Sequence, residues 1–334
     1  MRRLFLAGLL ASVSIAQQRS MSIYWVDVEG GAATLLVTPL GESVLFDAGD
    51  DTDRDASRIF AVASKHAGLK RIDHLVVSHW HPDHYGGAAR LMQRIPVDRI
   101  YNRPIPPSIP EDPDPKRFPR MIADFRKAMG DRGSTIGAGF LLPLKGSTVA
   151  IRCVAGDRKV AVTKAKANPD CSQMVPAEPD KTDNANSLAF TIAYSKFSMF
   201  TGGDLTKDVE QKLVCPANLV GPVTLYQTDA HGMDVGSDPT FLRGLKPRVV
   251  VVNNGPRKGA EPATMKTLFS VPSIEAVWQM HENLRNDGGR NTDAILIANR
   301  EEYCSARFIK AVVAPGGSFT IAAGDASPRR YQAH

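Results

Sequence analysis

The stretch VSHWHPDHYGG, residues 77–87, decides the fold of this chain. An apolar, β-branched run at residues 75–77 leads into it, and a Gly-Gly pair ends it. Four of the eight histidines lie between positions 74 and 84. Imidazole and carboxylate groups are the nitrogen and oxygen ligands that zinc and similar divalent ions take, and a soluble protein has little structural reason to crowd them so densely. The stretch therefore predicts a metal site at the end of a strand.

The spacing inside this stretch predicts two ions. His79 and His81 are two residues apart at a strand end, so period-2 geometry places both side chains on one face. Asp83 and His84 follow a turn set by Pro82, where the chain enters a helix, and they can reach a second point nearby. One short loop can therefore give two ligands to each of two ions. The alternative is a polar surface loop of histidines.

The same stretch resembles the metal-binding motif of the metallo-β-lactamase fold superfamily, and other stretches agree with that family in order along the chain. Residues 43–49 resemble the strand that ends in a buried Asp, here Asp47. Residues 200–204 resemble the strand that ends in the metal-bridging Asp, and residues 230–232 resemble the segment with the late His ligand. The resemblance covers about residues 22–300.

One branch of the superfamily fits best. Residues 27–32 (DVEGGA), 186–190 (NSLAF) and 200–205 (FTGGDL) resemble the hydrolase domain of competence-type DNA-uptake proteins and their secreted stand-alone relatives. That branch usually carries two histidines before the late glycine. Here the first of these positions is Ala230, so the resemblance assigns a ligand role to His231 alone.

The resemblance implies a ligand set for two divalent ions, with zinc expected first and manganese as the alternative. The first ion would be held by His79, His81 and Asp204. The second ion would be held by Asp83, His84, Asp204 and His231.

The first ion lacks a ligand that most of the superfamily has. That ligand is a third histidine, but no histidine lies between His84 and Asp204. Asn184 or Asn186 lies near the matching place, and an amide oxygen is a poor zinc ligand beside imidazole. We therefore expect the first site to be weak, to take a harder ion such as manganese, or to fill together with substrate.

Further candidate residues lie at the ends of other expected strands. Asp47 is expected to support the histidine loop without binding an ion, with a turn-forming role as the alternative. His281 ends the strand VWQMH and is a candidate for polarising the substrate or protonating a leaving group, or else is a strand-end histidine without a role. Asp83 and Asp204 are the other candidate catalytic residues. The candidates for binding an anionic group of the substrate are Asn186, Asn254, Arg257 and Lys258.

The first residues are typical of a secretory signal. Arg2 and Arg3 precede a short apolar run at residues 4–16, which ends in the small-x-small sequence Ser14-Ile15-Ala16. The run is too short to span a membrane. We expect cleavage after residues 1–16 and an exported protein, periplasmic or extracellular, without stable membrane association. A buried first helix is the alternative.

Charge and cysteine usage set weaker limits on function. Without Arg2 and Arg3 the formal net charge falls from +6 to +4, which suits an anionic substrate but is ordinary for this length. No Lys/Arg-rich block marks a nucleic-acid patch. The four cysteines show no C-x-x-C spacing, which disfavours a zinc knuckle, and an oxidising compartment favours one or two disulfides. Cys171, in a loop rich in Pro and Asp, is expected to be bonded. The alternative is four buried thiols: Cys153, Cys171, Cys215 and Cys304.

The pattern of strands and helices predicts one α+β domain over residues 17–334. Strand-like segments dominate residues 22–47 and then alternate with helical ones, which implies an αββα sandwich: two mixed β-sheets packed face to face with helices on the outer faces. Residues 101–186 are expected to be an insertion, Pro-rich at 104–119, that forms a lid or wall over the site. The alternative is a surface loop without a role.

The combined expectation is an exported metal-dependent hydrolase that uses a metal-bound hydroxide. The substrates expected are phosphodiesters or related anionic esters, in a small molecule or a single-stranded nucleic acid. The alternatives are a lactone or β-lactam hydrolase of the same fold and a degenerate, non-catalytic metal-binding protein. No protein partner is predicted.

Overall fold

The computed structural model describes residues 20–146, 148–162 and 164–334. The expected signal peptide, residues 1–16, lies outside these described residues. Within the described ranges, no helix has the length and apolar character needed to cross a membrane.

Strands dominate the described chain, and seven α-helices lie between them. The strands are β1 (Met21–Trp25), β2 (Thr34–Val37), β3 (Ser43–Phe46), β4 (Ile72–Val77), β5 (Val97–Asn102), β6 (Gly133–Thr135), β7 (Val149–Gly156), β8 (Lys159–Val160), β9 (Ala189–Tyr194), β10 (Phe197–Thr201), β11 (Leu225–Gln227), β12 (Val249–Val252), β13 (Ala276–His281), β14 (Ile297–Asn299), β15 (Ile309–Val313), β16 (Ser318–Ala323) and β17 (Arg329–Gln332). The helices are α1 (Asp53–Ala61), α2 (Pro82–Tyr85), α3 (Ala88–Met92), α4 (Arg117–Met129), α5 (Lys207–Val214), α6 (Pro239–Leu245) and α7 (Pro262–Ser270).

These strands form two mixed sheets. The first sheet has the order β17-β16-β15-β1-β2-β3-β4-β5-β6, and the second has the order β14-β13-β12-β11-β10-β9-β7-β8. Strands β3, β4, β5 and β6 run parallel in the first sheet, and β10 to β14 run parallel in the second. The remaining neighbours pair antiparallel.

Alternation along the strands places the two sheets face to face. In β1, Met21, Ile23 and Trp25 belong to the apolar core between the sheets, whereas Tyr24 faces the outer helices. The four valines of β12 are all buried, because this strand has a sheet on one face and helices on the other.

Two further apolar clusters attach the outer helices. Helices α1, α3 and α4 pack on the first sheet, and α5, α6 and α7 pack on the second. The expected αββα sandwich of two mixed sheets is therefore confirmed.

Local differences from the expected elements have identifiable causes. The helical segment that starts at Asp53 is α-helical only to Ala61, and a π-helical turn at Val62–His66 completes it. Thr52 caps its start by accepting a hydrogen bond from the N–H of Asp55. The Pro-rich loop is shorter than expected, because α4 begins at Arg117 and holds a proline in its first turn, where a missing N–H costs nothing.

Residues 101–186 contribute to the sandwich itself. They supply β6 to the edge of the first sheet and β7 to the second, where β7 pairs with β9. A simple insertion would not supply an eight-residue strand to the interior of the second sheet. Only the part of this segment outside the strands is therefore free to form a wall beside the site.

The cysteines divide into one bonded pair and two thiols. Cys171 is bonded to Cys215. The bond links the 3-10 turn at Pro169–Gln173 to the residue that directly follows α5. Cys153 is a buried free thiol, and Cys304 is a partly exposed one.

Candidate metal centre

The candidate site lies where the carboxyl ends of parallel strands from both sheets meet. The first sheet brings Asp47 after β3 and the histidine loop after β4. The second sheet brings Asp204 shortly after β10 and His231 shortly after β11. Strand ends that point the same way collect at one edge of a sheet, which is where open α/β sheets place their ligand sites.

The histidine loop alternates between the site and the core. The Trp80 side chain packs against Tyr85 and Phe125 in the outer apolar cluster, and its indole N–H donates to the carbonyl of Pro104 at 3.0 Å. Trp80 therefore anchors the loop, and its neighbours on either side point to the opposite face.

Four imidazoles converge through one ring nitrogen each. His79 Nε2 lies 3.1 Å from His81 Nδ1. On the other side of the cluster, His84 Nε2 lies 3.2 Å from His231 Nε2. Ligand nitrogens on one tetrahedral zinc ion, each at ~2.0–2.1 Å, are separated by about 3.3 Å, so both spacings suit metal ligation.

Asp204 spans the two pairs of imidazoles. Its Oδ2 lies 4.0 Å from His79 Nε2, and its Oδ1 lies 3.1 Å from His84 Nε2 and 3.2 Å from His231 Nε2. Burial raises the pKa of the Asp204 carboxyl, but attraction to His231 and His84 outweighs it, and the pKa falls well below 3.8. Asp204 is therefore an ionised carboxylate with one oxygen toward each pair.

Asp83 completes the second pair. Its Oδ2 lies 3.3 Å from His231 Nε2 and 3.5 Å from His84 Nε2. Burial raises the pKa of this carboxyl, but Lys258, His84 and His231 lower it by more, so that it also lies well below 3.8.

The outward ring nitrogens have partners that fix the ring orientations. His84 Nδ1 lies 2.8 Å from Asp47 Oδ2, and the same carboxylate accepts hydrogen bonds from the backbone N–H and the hydroxyl of Ser78, each at 2.7 Å. His231 Nδ1 lies 3.2 Å from Asn253 Nδ2. Asp47 thus touches His84 and its loop without touching the converging nitrogens, and such partners tune metal ligands.

The loop that carries His231 is held in an unusual backbone conformation. Ala230 and His231 have φ values of 48° and 57°, in the left-handed region that L-residues seldom adopt. Gly259 makes this geometry possible, because a Cβ there would lie 2.1 Å from the His231 carbonyl oxygen. Non-glycine residues in this region often mark functional sites.

These residues fit a divalent metal. His79, His84 and Asp204 each offer a ligand atom within 4.8 Å of the others, and so do Asp83, His84 and His231. Asp204 Oδ1 is buried and has no hydrogen-bond partner among the described residues. Burial also lowers the pKa of His79 well below 6.5, which keeps it in the neutral form that binds metals.

A lysine lies against the second group. Lys258 Nζ is 2.5 Å from Asp83 Oδ2, and this side chain is 39 % exposed. Burial lowers the pKa of Lys258, but Asp83 and Asp204 raise it above 10.5, so its ammonium is charged. The cation contacts an oxygen that the resemblance assigns to the second ion, so it competes with that ion for the carboxylate.

The remaining candidate residues lie apart from the converging nitrogens. His281 is fully buried, and its Nε2 lies 2.7 Å from Asp27 Oδ1, which directs it to a different carboxylate. Asn254 is also fully buried and donates to the His281 carbonyl. Arg257 is exposed and pairs with Glu302. The contacts of these three residues are with groups other than the converging nitrogens.

The two asparagines near the missing third histidine lie on a short 3-10 helix, Asp183–Asn186. Asn186 is half-buried and donates from Nδ2 to Asp183 Oδ1 at 3.2 Å. Asn184 Oδ1 is buried without a hydrogen-bond partner among the described residues.

The segment 101–186 reaches the site through residues that the sequence did not single out. Glu111 Oε1 lies 3.0 Å from His81 Nε2. Asp183 Oδ2 accepts the backbone N–H of Trp80 at 2.7 Å, and its other oxygen pairs with Arg103. Glu111 lies in the run Ile109-Pro110-Glu111-Asp112-Pro113, where no local pattern identifies a contact with a histidine 30 residues earlier.

Comparison with known proteins supports the same family. The model of the metallo-beta-lactamase superfamily matches residues 26–163, which include the histidine loop. No curated protein matches the sequence.

Solved structures give remote likenesses. Tm1679, described as a metal-dependent hydrolase of the beta-lactamase superfamily, is 12 % identical, with 78 % of this chain and 95 % of that chain covered and a TM-score of 0.47. A putative metal-dependent hydrolase from Parabacteroides distasonis is 11 % identical, with 80 % and 94 % covered and a TM-score of 0.45.

A third likeness is to a mutant of the CmlA beta-hydroxylase. It is 14 % identical with a TM-score of 0.46, and the match covers 78 % of this chain but only 52 % of that chain.

The family match over the histidine loop and the two-sheet sandwich agree with the expectation from the sequence. The competence-type branch is not distinguished by these comparisons. Residues 26–163 of this chain match the metallo-beta-lactamase superfamily model, and the described residues form a two-sheet αββα sandwich consistent with the metallo-β-lactamase fold.

Proposed function

We propose that the protein is an exported, metal-dependent hydrolase that cleaves phosphodiesters or related anionic esters. The observation that carries this proposal is the cluster of four imidazoles and two carboxylates with the ammonium of Lys258 at its edge.

The exposed edge of the cluster supports an anionic substrate. His79, His84 and His231 are fully buried, whereas the side chains of His81 and Asp83 are 19 % and 22 % exposed. Within the described ranges, His81 and Asp83 form the exposed side from which a substrate can reach the cluster, and Lys258 also lies there. A lysine ammonium there offsets the negative charge of a phosphodiester and would give little advantage to a neutral ester.

The protein's own residues have distinct roles in this proposal. Divalent ions in such a ligand set lower the pKa of a coordinated water toward about 7 and stabilise negative charge that develops on the substrate. Asp83, the more exposed carboxylate, would orient the attacking water by accepting a hydrogen bond from it. Asp204 holds the two halves of the site together, and Lys258 binds an anionic oxygen of the substrate.

The ion content is proposed from the two ligand sets that the resemblance implies, one with His79, His81 and Asp204 and one with Asp83, His84, Asp204 and His231. We propose two divalent ions, zinc first and manganese as the alternative, with the ion at His79 and His81 the weaker one because it has three protein ligands where the second ion has four. The competition between Lys258 and the second ion is a separate cost, which an anionic substrate relieves by drawing the ammonium away from Asp83.

Export is proposed from the N-terminal pattern and is supported by the Cys171–Cys215 bond, since disulfides persist in oxidising compartments. The mass of protein purified from the expressing cell's periplasm or medium tests this, because cleavage before Gln17 fixes the expected mature N-terminus. Retention of full-length protein in the cytoplasm would contradict it.

Metal content and hydrolysis of bis(p-nitrophenyl) phosphate with added zinc or manganese test the activity, with His81→Ala as the ligand-deficient control. We expect two ions per chain and turnover that the variant loses. Turnover of a lactone or β-lactam but not of the phosphodiester would replace the proposed substrate class. Full metal loading without turnover of any ester would favour the non-catalytic binding protein.

A further inference from the structure

The ring of His81 is held from both sides. Its Nδ1 faces His79 Nε2 at 3.1 Å, and its Nε2 faces Glu111 Oε1 at 3.0 Å. The two ring nitrogens point in different directions, so Glu111 lies on the side of the ring that turns away from His79. Glu111 is therefore not placed to share an ion with His79, and its contact acts on the imidazole.

The chemistry of this contact sets the tautomer of His81. An ionised carboxylate accepts hydrogen bonds and cannot donate them, so the proton of a neutral His81 must lie on Nε2. The lone pair then lies on Nδ1, which is the nitrogen that faces His79. Asp47 acts in the same way on His84 from the other side of the cluster, through Nδ1.

Glu111 is itself held in place. Its Oε1 also accepts the backbone N–H of Asp183, and Asp183 in turn accepts the N–H of Trp80 within the histidine loop. The segment 101–186 thus contacts the loop at two adjacent residues, Trp80 and His81. The Glu111 side chain is 25 % exposed and contacts His81, which is itself 19 % exposed.

We propose that Glu111 is a positioning residue that holds His81 in the Nδ1-coordinating tautomer and thereby sets the affinity of the first metal site. The proposal rests on the metal ligation proposed above. It has particular weight here because no histidine lies between His84 and Asp204. With only His79 and His81 as imidazole ligands, the first ion depends more on the orientation of each ring than an ion with three imidazoles does.

The test compares zinc binding by mature wild type, Glu111→Ala, Glu111→Gln and the control Glu178→Ala. Glu178 is an exposed glutamate in the same segment. Competition with a chromophoric chelator gives the affinity of each ion, and ¹⁵N chemical shifts of the histidines report the His81 tautomer.

We expect Glu111→Ala to lower the binding affinity for one of the two ions about 10- to 100-fold, which is the range for lost partners of metal ligands. The affinity for the other ion should not change. Glu111→Gln should weaken it less, because the amide can accept from Nε2–H but can also donate to Nε2, and the shifts should show both tautomers. Glu178→Ala should bind like wild type.

Two results would overturn the proposal. One is wild-type affinity for both ions in Glu111→Ala, and the other is an unchanged His81 tautomer in both Glu111 variants. If Glu111→Ala does not fold, as judged by circular dichroism, the nearly isosteric Glu111→Gln decides the question. Failure of the proposed hydrolase activity is distinguishable, because wild type would then bind both ions, depend on Glu111 for one of them, and still hydrolyse no ester.

Discussion

At the scale of single residues, the clearest contrast is between Arg257 and Lys258. Both follow the same strand and turn, and both could have reached an anionic substrate. The turn closed by the N–H of Gly255 and the carbonyl of Lys258 directs them differently. Arg257 points into solvent and pairs with Glu302, whereas Lys258 lies against Asp83. A sequence cannot distinguish two adjacent cations whose directions depend on one turn.

Replacing Lys258 with Met should selectively impair turnover of anionic esters. A hydrogen bond to a charged group is worth about 1.5–3 kcal/mol, so kcat/KM for bis(p-nitrophenyl) phosphate should fall roughly 10-fold or more. Zinc affinity at the group containing Asp83 should rise, because the competing ammonium is gone. Kinetics and chelator competition measure the two effects. Lys266→Met, an exposed lysine on α7, is the matched control. An equal loss of kcat/KM with a neutral ester would contradict an anion-binding role.

At the scale of elements, the sequence located the site because its ligands come from strand ends. His79, His81, Asp83 and His84 share one short loop, so their proximity is a local property. The meeting of Asp204 and His231 with that loop follows from the resemblance, which supplies the order of strands. Glu111 could not be found in this way. Its contact with His81 depends on the path of the Pro-rich loop between β5 and α4, and no periodicity encodes that path.

The Cys171–Cys215 bond links the 3-10 turn at Pro169–Gln173, in a stretch without strands, to the end of α5. The bond closes a separation of 44 residues, for which the chain-entropy model gives a stabilisation of about 4 kcal/mol. Cys171→Ala together with Cys215→Ala should lower the free energy of unfolding by roughly 2–5 kcal/mol in urea titrations. A reductant should lower the stability of wild type but leave that of the double variant unchanged. Equal sensitivity of both to the reductant would mean that this bond is not the stabilising one.

At the scale of the whole molecule, stability depends on a buried acidic pair behind the site. Glu210 and Asp229 are both fully buried. Burial raises the pKa of Glu210 to about 7, although a hydrogen bond with Asp229 and the backbone N–H groups of Asp238 and Ser237 lower it. Burial and the Glu210 carboxylate raise the pKa of Asp229 well above 3.8. The folded protein therefore keeps protons on this pair at pH values where the unfolded chain has lost them.

This difference predicts that the folded state loses stability as the pH rises from about 5 to 7. The unfolded Glu210 titrates near 4.5 and the folded one near 7, so between these values the folded state binds more protons. One such proton contributes a slope of up to about 1.4 kcal/mol per pH unit, with stability greatest on the acidic side of the window. Urea unfolding of the metal-free protein at several pH values measures it.

Glu210→Gln should flatten the slope, even though its overall stability falls because one amide oxygen replaces two acceptors. His84, whose pKa is also raised, contributes equally to both proteins and cancels in the comparison. Glu178→Gln should retain the wild-type slope, and an unchanged slope in Glu210→Gln would show that Glu210 does not hold the proton.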